Sequence, residues 1–516
     1  MSDSYDVIVG GAGPVGLFLA CELGLAGVSV LVLERDAHVT SPFWAKPLGV
    51  RGLNTLSTES FYRRGMVDKI FDPDFERFRS LSKTETGKFA GHFAGMMLDA
   101  NKLDLSRWKY FLKGPALIPG RTDLQRIITT LSERAEALGV TVLRGNEITS
   151  VSQTEDAVAV GAGNQIFRAK YLVGCDGGRS RVRKECGFEF IGTDPEFTGY
   201  SSECELEDPE KLKPGFQRTP WGMYISLDFG QIALMDFDGG KFNRTQTVTR
   251  EHFQTVLRRV SGTDVTVKNL RLVSTFTDRA LQAQTYRKNR VFLAGDSAHI
   301  QSPLGGQGLN AGIGDAMNLG WKVAAVVRGT APDSLLDTYC DERQPVGEWV
   351  VEWTRAQIAT LKPDPFGIAT AKIVQDLIDT TDGANYFIGR VWGLSQRYDL
   401  GDPHPLVGAS APDFEFADST RLGDKMASGK GLLVDFTNNS SIAELVSNWR
   451  SQVDYLGAQV KDNLGLEALL VRPDGIGAWL AESAPQLESA RSALLHWFGP
   501  FESSYVGGQS QQLRVL

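Results

Sequence analysis

The sequence predicts an α/β protein in three parts: a doubly wound parallel-sheet domain, an antiparallel sheet inserted into it, and a separate α/β module towards the C-terminus. Three observations carry this. A strand, a glycine turn, a helix and a second strand ending on an acid occupy residues 5–34. Period-two alternation of apolar residues recurs between 190 and 285, as in MYISLDFGQIALMDF. A break at GDPHPLVGASAPDF, from Gly401 to Phe414, precedes a fresh group of strands. The expected boundaries are 1–185 with 286–400 for the first, discontinuous domain, 186–285 for the insert and 401–516 for the tail.

YDVIVG, residues 5–10, is a short continuous apolar run of the kind buried on both faces of a parallel sheet. Gly11, Ala12, Gly13, Pro14, Val15 and Gly16 form a G-x-G-x-x-G turn. LFLACELGLAG then reads as a helix ending at Gly27, and VSVLVLE, 28–34, as a strand closing on Glu34. In this Rossmann-like unit Gly11 permits the tight turn, Gly13 lets the backbone approach a pyrophosphate, and Gly16 lets helix and strand pack closely. The helix N-terminus offers free N–H groups and a partial positive charge. Glu34 suits ribose hydroxyls and disfavours a 2′-phosphate, which narrows the ligand of this turn to FAD or NAD.

Residues 36–115 read as irregular. RTDLQRIITTLSERAEALG, 121–139, is an amphipathic helix with Leu124, Ile127, Ile128, Leu131 and Ala135 on one face. After a β segment at 140–160, YLVGCDGGRSRVRKECGF (171–188) is a buried strand meeting a glycine pair. RVFLAGD (290–296) is another strand with an acid at its end. Helical patterns follow at 307–328 and over most of 333–398. In the tail GLLVDF, VDYLGAQV and LEALLVRPDGIGAWL read as strands.

Composition removes several functions. A net charge of −8 and a pI near 5.5 leave no basic face for nucleic acid. No run approaches eighteen apolar residues, and MSDSYDVIVGG lacks a basic leader, so the expectation is a cytoplasmic protein with no membrane span. The five cysteines form no C-x-x-C pair and the six histidines no H-x-x-x-H, so no metal site is expected. Hydrolase and P-loop signatures are missing.

The chain thus carries three strand-to-glycine turns, at Glu34, Asp176 and Asp296. One extended dinucleotide accounts for all three: its ADP half on the first turn, its far half on the last. Asp296 suits a polyhydroxyl chain. The N–H groups of Gly308, Leu309 and Asn310, opening the helix after PLGGQG, suit the negative charge of a reduced flavin.

These stretches resemble the fingerprints of the FAD-dependent, single-component aromatic hydroxylases, the class A flavoprotein monooxygenases. GAGPVGLFLACELGLAGVSVLVLER, which ends on Arg35, is similar to their first motif, YLVGCDGGRSRVRK to their D-G motif, and RVFLAGDSAHIQSPLGGQGLNAGIGDAMNLGWKVA to their G-D motif, with Gly295 and Asp296 at its heart. The tail resembles the redox-inactive, thioredoxin-like C-terminal domain of the phenol hydroxylase branch, which includes enzymes acting on polycyclic polyketides and on rifamycin. Its 401–516 segment contains no cysteine, so dithiol chemistry is excluded and a structural role is expected.

The resemblance implies FAD as cofactor, NADPH or NADH as co-substrate with no second nucleotide domain, and O2 adding at flavin C4a. The resulting hydroperoxide would hydroxylate a small phenolic or polycyclic aromatic substrate. It further implies that Asp176, Gly177 and Arg181 serve FAD and pyridine nucleotide, that Arg121 and Gln125 touch the flavin side chain, and that Lys46 stands where many members have a pyrophosphate Arg. Pro303, Gly305 and Gly306 are expected beside C4a. No side chain need act as nucleophile, because the cofactor carries the reaction. His299 reads as a packing residue. Trp221, Tyr224, Phe229 and Phe237 are expected to pack the insert and, as a group, to contribute to the substrate cavity. Alternatives on the same fold are Baeyer–Villiger or epoxidising chemistry, and a flavin oxidase or non-catalytic flavin protein. The protein is expected to be a monomer or homodimer.

Overall fold

The computed structural model describes residues 4–71, 87–227, 230–242, 245–484 and 486–500. Its centre is a sheet in which β1 (Ser4–Gly10), β2 (Val30–Glu34), β5 (Thr141–Arg144), β6 (Gln165–Gly174) and β12 (Val291–Leu293) run parallel, in the order β12-β6-β1-β2-β5. Strands Ile148–Gln153 and Val158–Ala162 extend it antiparallel from β6. Val7, Ile8 and Val9 are fully buried, as a central parallel strand requires.

Helix α1 (Pro14–Leu25) starts with proline at its first position and shows no polar stripe. It needs none, because it packs against both α3 (Leu124–Ala137) and α5 (Gln307–Val327). The region read as irregular holds a two-stranded ladder of β3 (Val50–Leu53) with β4 (Gly120–Asp123), a helix α2 (Thr55–Tyr62) and a hairpin of Phe89–Phe93 with Met96–Asp99. Asn54 caps α2 through the Ser57 N–H.

The inserted sheet is antiparallel and five-stranded, ordered β8 (Gly215–Thr219), β9 (Gly222–Leu227), β10 (Gln231–Asp236), β7 (Thr198–Leu206), β11 (Val267–Thr277). Alternation sends its two faces to different cores. Tyr200, Tyr224, Ile232 and Leu234 meet Phe253, Val256, Leu257 and Val260 of the amphipathic helix α4 (Arg250–Ser261). Phe216, Met223, Ile225, Met235 and Phe276 face the other way, to a cluster holding Leu304, Phe93 and Trp353 of α6 (Asp337–Leu361).

The tail is a four-stranded mixed sheet, ordered β14 (Val453–Gly457), β13 (Gly431–Asp435), β15 (Ala468–Val471), β16 (Gly477–Ala481), with helices Ser440–Ser447 and Leu487–Phe498. Its core is shared rather than private. Trp321 of α5 packs 6.5 Å from Trp497 and 6.3 Å from Phe498. Arg472, fully buried, grips Glu342 of α6 with both terminal nitrogens, at 2.8 and 2.7 Å. Arg64, at the end of α2, binds Glu22 of α1 at 2.7 and 2.6 Å and the tail carbonyls of Met426 and Pro473. Among the described residues no helix is long and apolar enough to cross a membrane.

Candidate functional site

The three glycine turns leave three adjacent strands at one level. Gly10 is in register with Gly174, and Gly174 with Leu293, so the turns at 11–16, 175–181 and 294–297 all open at the carboxyl edge of β1, β6 and β12. Ligands of open parallel sheets bind at that edge. A cleft of about 440 Å³ lies there, lined by Gly11, Ala12, Gly13, Glu34, Arg35, Cys175, Asp176, Gly177 and Arg181. Gly11 sits at φ +103°, and a Cβ on it would come within 2.5 Å of the Cys175 carbonyl oxygen. A Cβ on Gly13 would meet nothing within 4 Å: that space belongs to whatever approaches the turn. Glu34 fixes the loop, accepting the Ala12 N–H at 2.6 Å and the Asp36 N–H at 2.8 Å.

Asp176 lines the cleft, but its carboxylate is engaged by its own turn. It accepts from the Ser180 hydroxyl and from the N–H groups of Arg181 (2.6 Å) and Val182 (3.1 Å), capping the short helix Arg181–Glu185. The second turn is therefore a capped wall of the cleft.

The third turn closes against the first through Val15. Gly295 and Gly312 form a niche for that side chain: added Cβ atoms would lie 3.1 and 2.5 Å from Val15 Cγ2. Behind them Asp315 of α5, fully buried, accepts the Gly295 N–H (2.9 Å), His299 Nε2 (2.8 Å) and Arg343 Nε (2.7 Å). Arg343 in turn donates to the Ala311 carbonyl and the Tyr398 hydroxyl. Desolvation opposes every charge here. The Arg343 and His299 charges nevertheless hold Asp315 below the usual carboxylate range, and Asp315 holds His299 above the ordinary imidazole value. His299 is thus a packing and pairing residue of the turn.

Asp296 differs from its neighbours. Its carboxylate accepts no hydrogen bond among the described residues and is exposed. Desolvation raises its pKa, with His299 and Arg51 pulling it back down. Arg51 of β3 had no signature in the sequence, yet it is the guanidinium nearest in charge to Asp296; its head also donates to the carbonyls of Leu48 and Val50. Lys46 is exposed, before a cis bond to Pro47. Gln125 is spent on the neighbouring loop, accepting from Ser41 N–H and donating to the Val39 carbonyl, and Arg121 is exposed on β4.

Helix α5 begins at Gln307 with no side-chain cap, so the N–H groups of Gly308 and Leu309 remain available. Pro303 and Gly306 stand exposed before it. Gln357 of α6 clamps this loop, accepting the Ala94 N–H at 2.9 Å and donating to the Leu304 carbonyl at 3.3 Å. Asn310 latches it to β3, accepting the Asn54 N–H (2.8 Å) and donating to Gly52 and Gly306 carbonyls.

The expected substrate aromatics separate. Trp221 is 52% exposed, at the turn between β8 and β9, with its ring over Gly262; it belongs neither to the insert core nor to a cavity. Tyr224 is buried on the α4 face, with its hydroxyl accepting the Lys213 N–H, and so points away from the flavin side. Period two fixed their alternation but not which face α4 would cover. Phe237 packs on the opposite cluster, 5.5 Å from Phe197. Phe229 lies outside the described residues.

An open cradle at Gly13, an unpartnered acid at Asp296 and an uncapped helix end fit the three segments of one flavin dinucleotide. Comparison with known proteins agrees. Residues 4–354 match the family model described as FAD binding domain, and residues 404–500 that described as aromatic-ring hydroxylase, C-terminal. A protein of Claviceps purpurea described as a monooxygenase is 49% identical, covering 95% of this chain and 97% of its own. A rifampicin monooxygenase of Streptomyces venezuelae is 38% identical over 96% and 99%. The solved structure of the anhydrotetracycline hydroxylase OxyS from Streptomyces rimosus superposes with a TM-score of 0.83, at 34% identity, covering 97% of this chain and 100% of that one.

Proposed function

Since the chain belongs to the FAD-binding aromatic-ring hydroxylases, we propose that it places one oxygen atom of O2 on a polycyclic phenolic metabolite, with NADPH or NADH as the electron source. The protein is a flavin-dependent monooxygenase and its cofactor is FAD. Bound FAD supplies the redox chemistry: it takes up electrons from the nicotinamide and activates oxygen.

The chain's own residues divide the remaining work. Glu34 and the Gly11–Gly16 turn hold the ADP half. Asp296 would accept charge-assisted hydrogen bonds from the hydroxyls of the flavin side chain. The N–H groups at the start of α5, left without a side-chain cap, would stabilise negative charge on a bound flavin. Gln357 and Asn310 hold the Pro303–Gly306 loop, which would form a wall of the flavin site. Phe216, Met223, Ile225 and Phe237 exclude water from the aromatic substrate. Arg218, two residues on from Phe216 along the same strand face and opposite Met223, is engaged with the Thr360 carbonyl of α6. His92, stacked 4.4 Å from Phe216, is held down to about 4 by burial, and its Nδ1 accepts the Gly95 N–H. It stays neutral at pH 7, so it supplies no charge to the substrate.

The observation that carries this reading is the unpartnered Asp296 carboxylate beside the uncapped α5 terminus. It is tested by isolating the protein and its flavin, then following NADPH oxidation, O2 uptake and product mass with a panel of polycyclic phenols. The expected result is non-covalent FAD, phenol-stimulated turnover, and a product heavier by one oxygen atom with its rings intact. Oxygen uptake yielding only hydrogen peroxide with every phenol, or a ring-expanded lactone, would overturn it.

A further inference from the structure

A second cavity, of about 380 Å³, lies on the reverse face of α5. Helical geometry separates the two sides. Gly308 and Gly312 face Asp296 and Val15, on the dinucleotide side. Gln307, Asn310, Ala311 and Gly314, offset by half a turn, face this cavity. Its other walls are α2, α6 and the segment 393–399.

The lining specifies an occupant. Leu56, Val346 and Trp349 supply apolar walls. Two polar groups at the α5 end have unused capacity. Gln307 is only 4% exposed; its Nε2 donates to the Gly305 carbonyl, while its Oε1 accepts no hydrogen bond among the described residues. Asn54 uses its Oδ1 to cap α2, while its Nδ2 donates none among them. One face of the cavity therefore presents an open acceptor and an open donor together, which a single hydroxyl group satisfies by donating to one and accepting from the other. Charges at the mouth balance, Arg390 and Arg397 against Asp341 and Asp399, so no net charge is selected. The volume falls in the range of small-molecule pockets.

We propose that this cavity is a second ligand site, distinct from the flavin cleft, for a neutral planar aromatic molecule bearing a hydroxyl group. Gln307 hydrogen-bonds the Gly305 carbonyl, so an occupant seated on its Oε1 would act on the same loop that the flavin site uses.

The test is calorimetric titration of the FAD-loaded protein with 2-naphthol. Val346→Trp, from the α6 wall, plugs the cavity; Leu56→Trp plugs it from α2 should the first variant not fold. Gln307→Leu removes the open acceptor and should weaken the site by about 2- to 12-fold, the value of one neutral hydrogen bond. The expected result is that the plugged variant binds one equivalent of 2-naphthol fewer than the wild type, with the flavin absorbance of both proteins showing FAD retained. Unchanged stoichiometry in a folded, plugged variant, or no binding that either plug removes, would overturn the proposal. Phenol-stimulated turnover is read separately, so loss of the oxygenase reading would leave this result standing.

Discussion

Glu342 and Arg343 are neighbours in α6, both buried, and they serve opposite sides of the molecule. Glu342 receives Arg472 of the tail and Lys322 of α5 (3.0 Å), whereas Arg343 reaches Asp315 behind the Gly295–Asp296 turn. The tail and the cofactor turn are thus fastened to consecutive residues of one helix.

Arg472→Met should destabilise the whole protein, because it leaves Glu342 and Asp474 buried with too little positive charge. The cost is about 3–5 kcal/mol, as for one removed partner of a buried ion pair. Urea unfolding measures it. Removal of residues beyond 403 should strip the same partner, together with the Trp321 packing, and give a fragment with low stability that still binds FAD when soluble.

Glu342 is held down to about 2, its own desolvation being outweighed by Arg472 and Lys322. In the unfolded chain a glutamate titrates near 4.3. The folded state therefore binds this proton less readily. Its stabilising contribution is complete above about pH 4.3 and is lost as pH falls towards 2. Unfolding free energies measured stepwise from pH 6 to pH 3 should decline, and Glu342→Gln should lower the value at pH 6 while flattening that decline.

Asp296→Ala should release FAD without unfolding the chain. A hydrogen bond to a charged group is worth roughly 1.5–3 kcal/mol, about 10- to 150-fold in Kd. Flavin fluorescence titration beside far-ultraviolet circular dichroism reads both quantities. Affinity equal to wild type would place the flavin chain elsewhere.

Gly312→Ala should force its new methyl into Val15, at a cost of roughly 1–3 kcal/mol for overpacking. The double variant with Val15→Ala should recover most of the loss. Thermal melts of the apoprotein, together with FAD retention on a desalting column, give the cycle. Equal losses in single and double variants would show that the niche is not what Gly312 provides.

Phe237→Ala should lower kcat/KM for the aromatic substrate by about 5- to 10-fold, in proportion to a half-buried phenyl group. Trp221→Ala should leave it within about twofold, since the indole lies outside the cavity face. Steady-state kinetics on the same phenol separate the two.

Much of the cofactor site was legible in the sequence because it is built from close approaches of backbone. Gly11 and Gly16 mark positions where a Cβ would strike main chain, and such positions admit few other residues. The groups behind the turn were harder to read, since Asp315 finds Arg343 28 residues further on, in a different helix. A signal was nonetheless present: Asp315 and Lys322 are the charges within the otherwise uncharged run of α5, seven residues apart and so on one face. Two such charges on a buried helix require partners, and Arg343 and Glu342 supply them. Asp176 lines the cleft and at the same time caps its own turn, a second duty that an acid after a strand does not announce. Arg51 belongs to no pattern; only the pairing of β3 with β4 brings it towards Asp296.

The inserted sheet has a further consequence for how such an enzyme can change over generations. Helix α4 completes a hydrophobic core on one side of it, with Phe253, Val256 and Leu257 all buried. Folding of the sheet is secured from behind, and on the other side Met223 and Met235 are buried, whereas Phe216, Ile225 and Phe237 are only partly so. Their identities can drift with the diet of the enzyme while the scaffold stays intact. A lineage could therefore acquire new substrates by altering a handful of letters on one side of a single sheet, leaving the machinery that handles oxygen untouched.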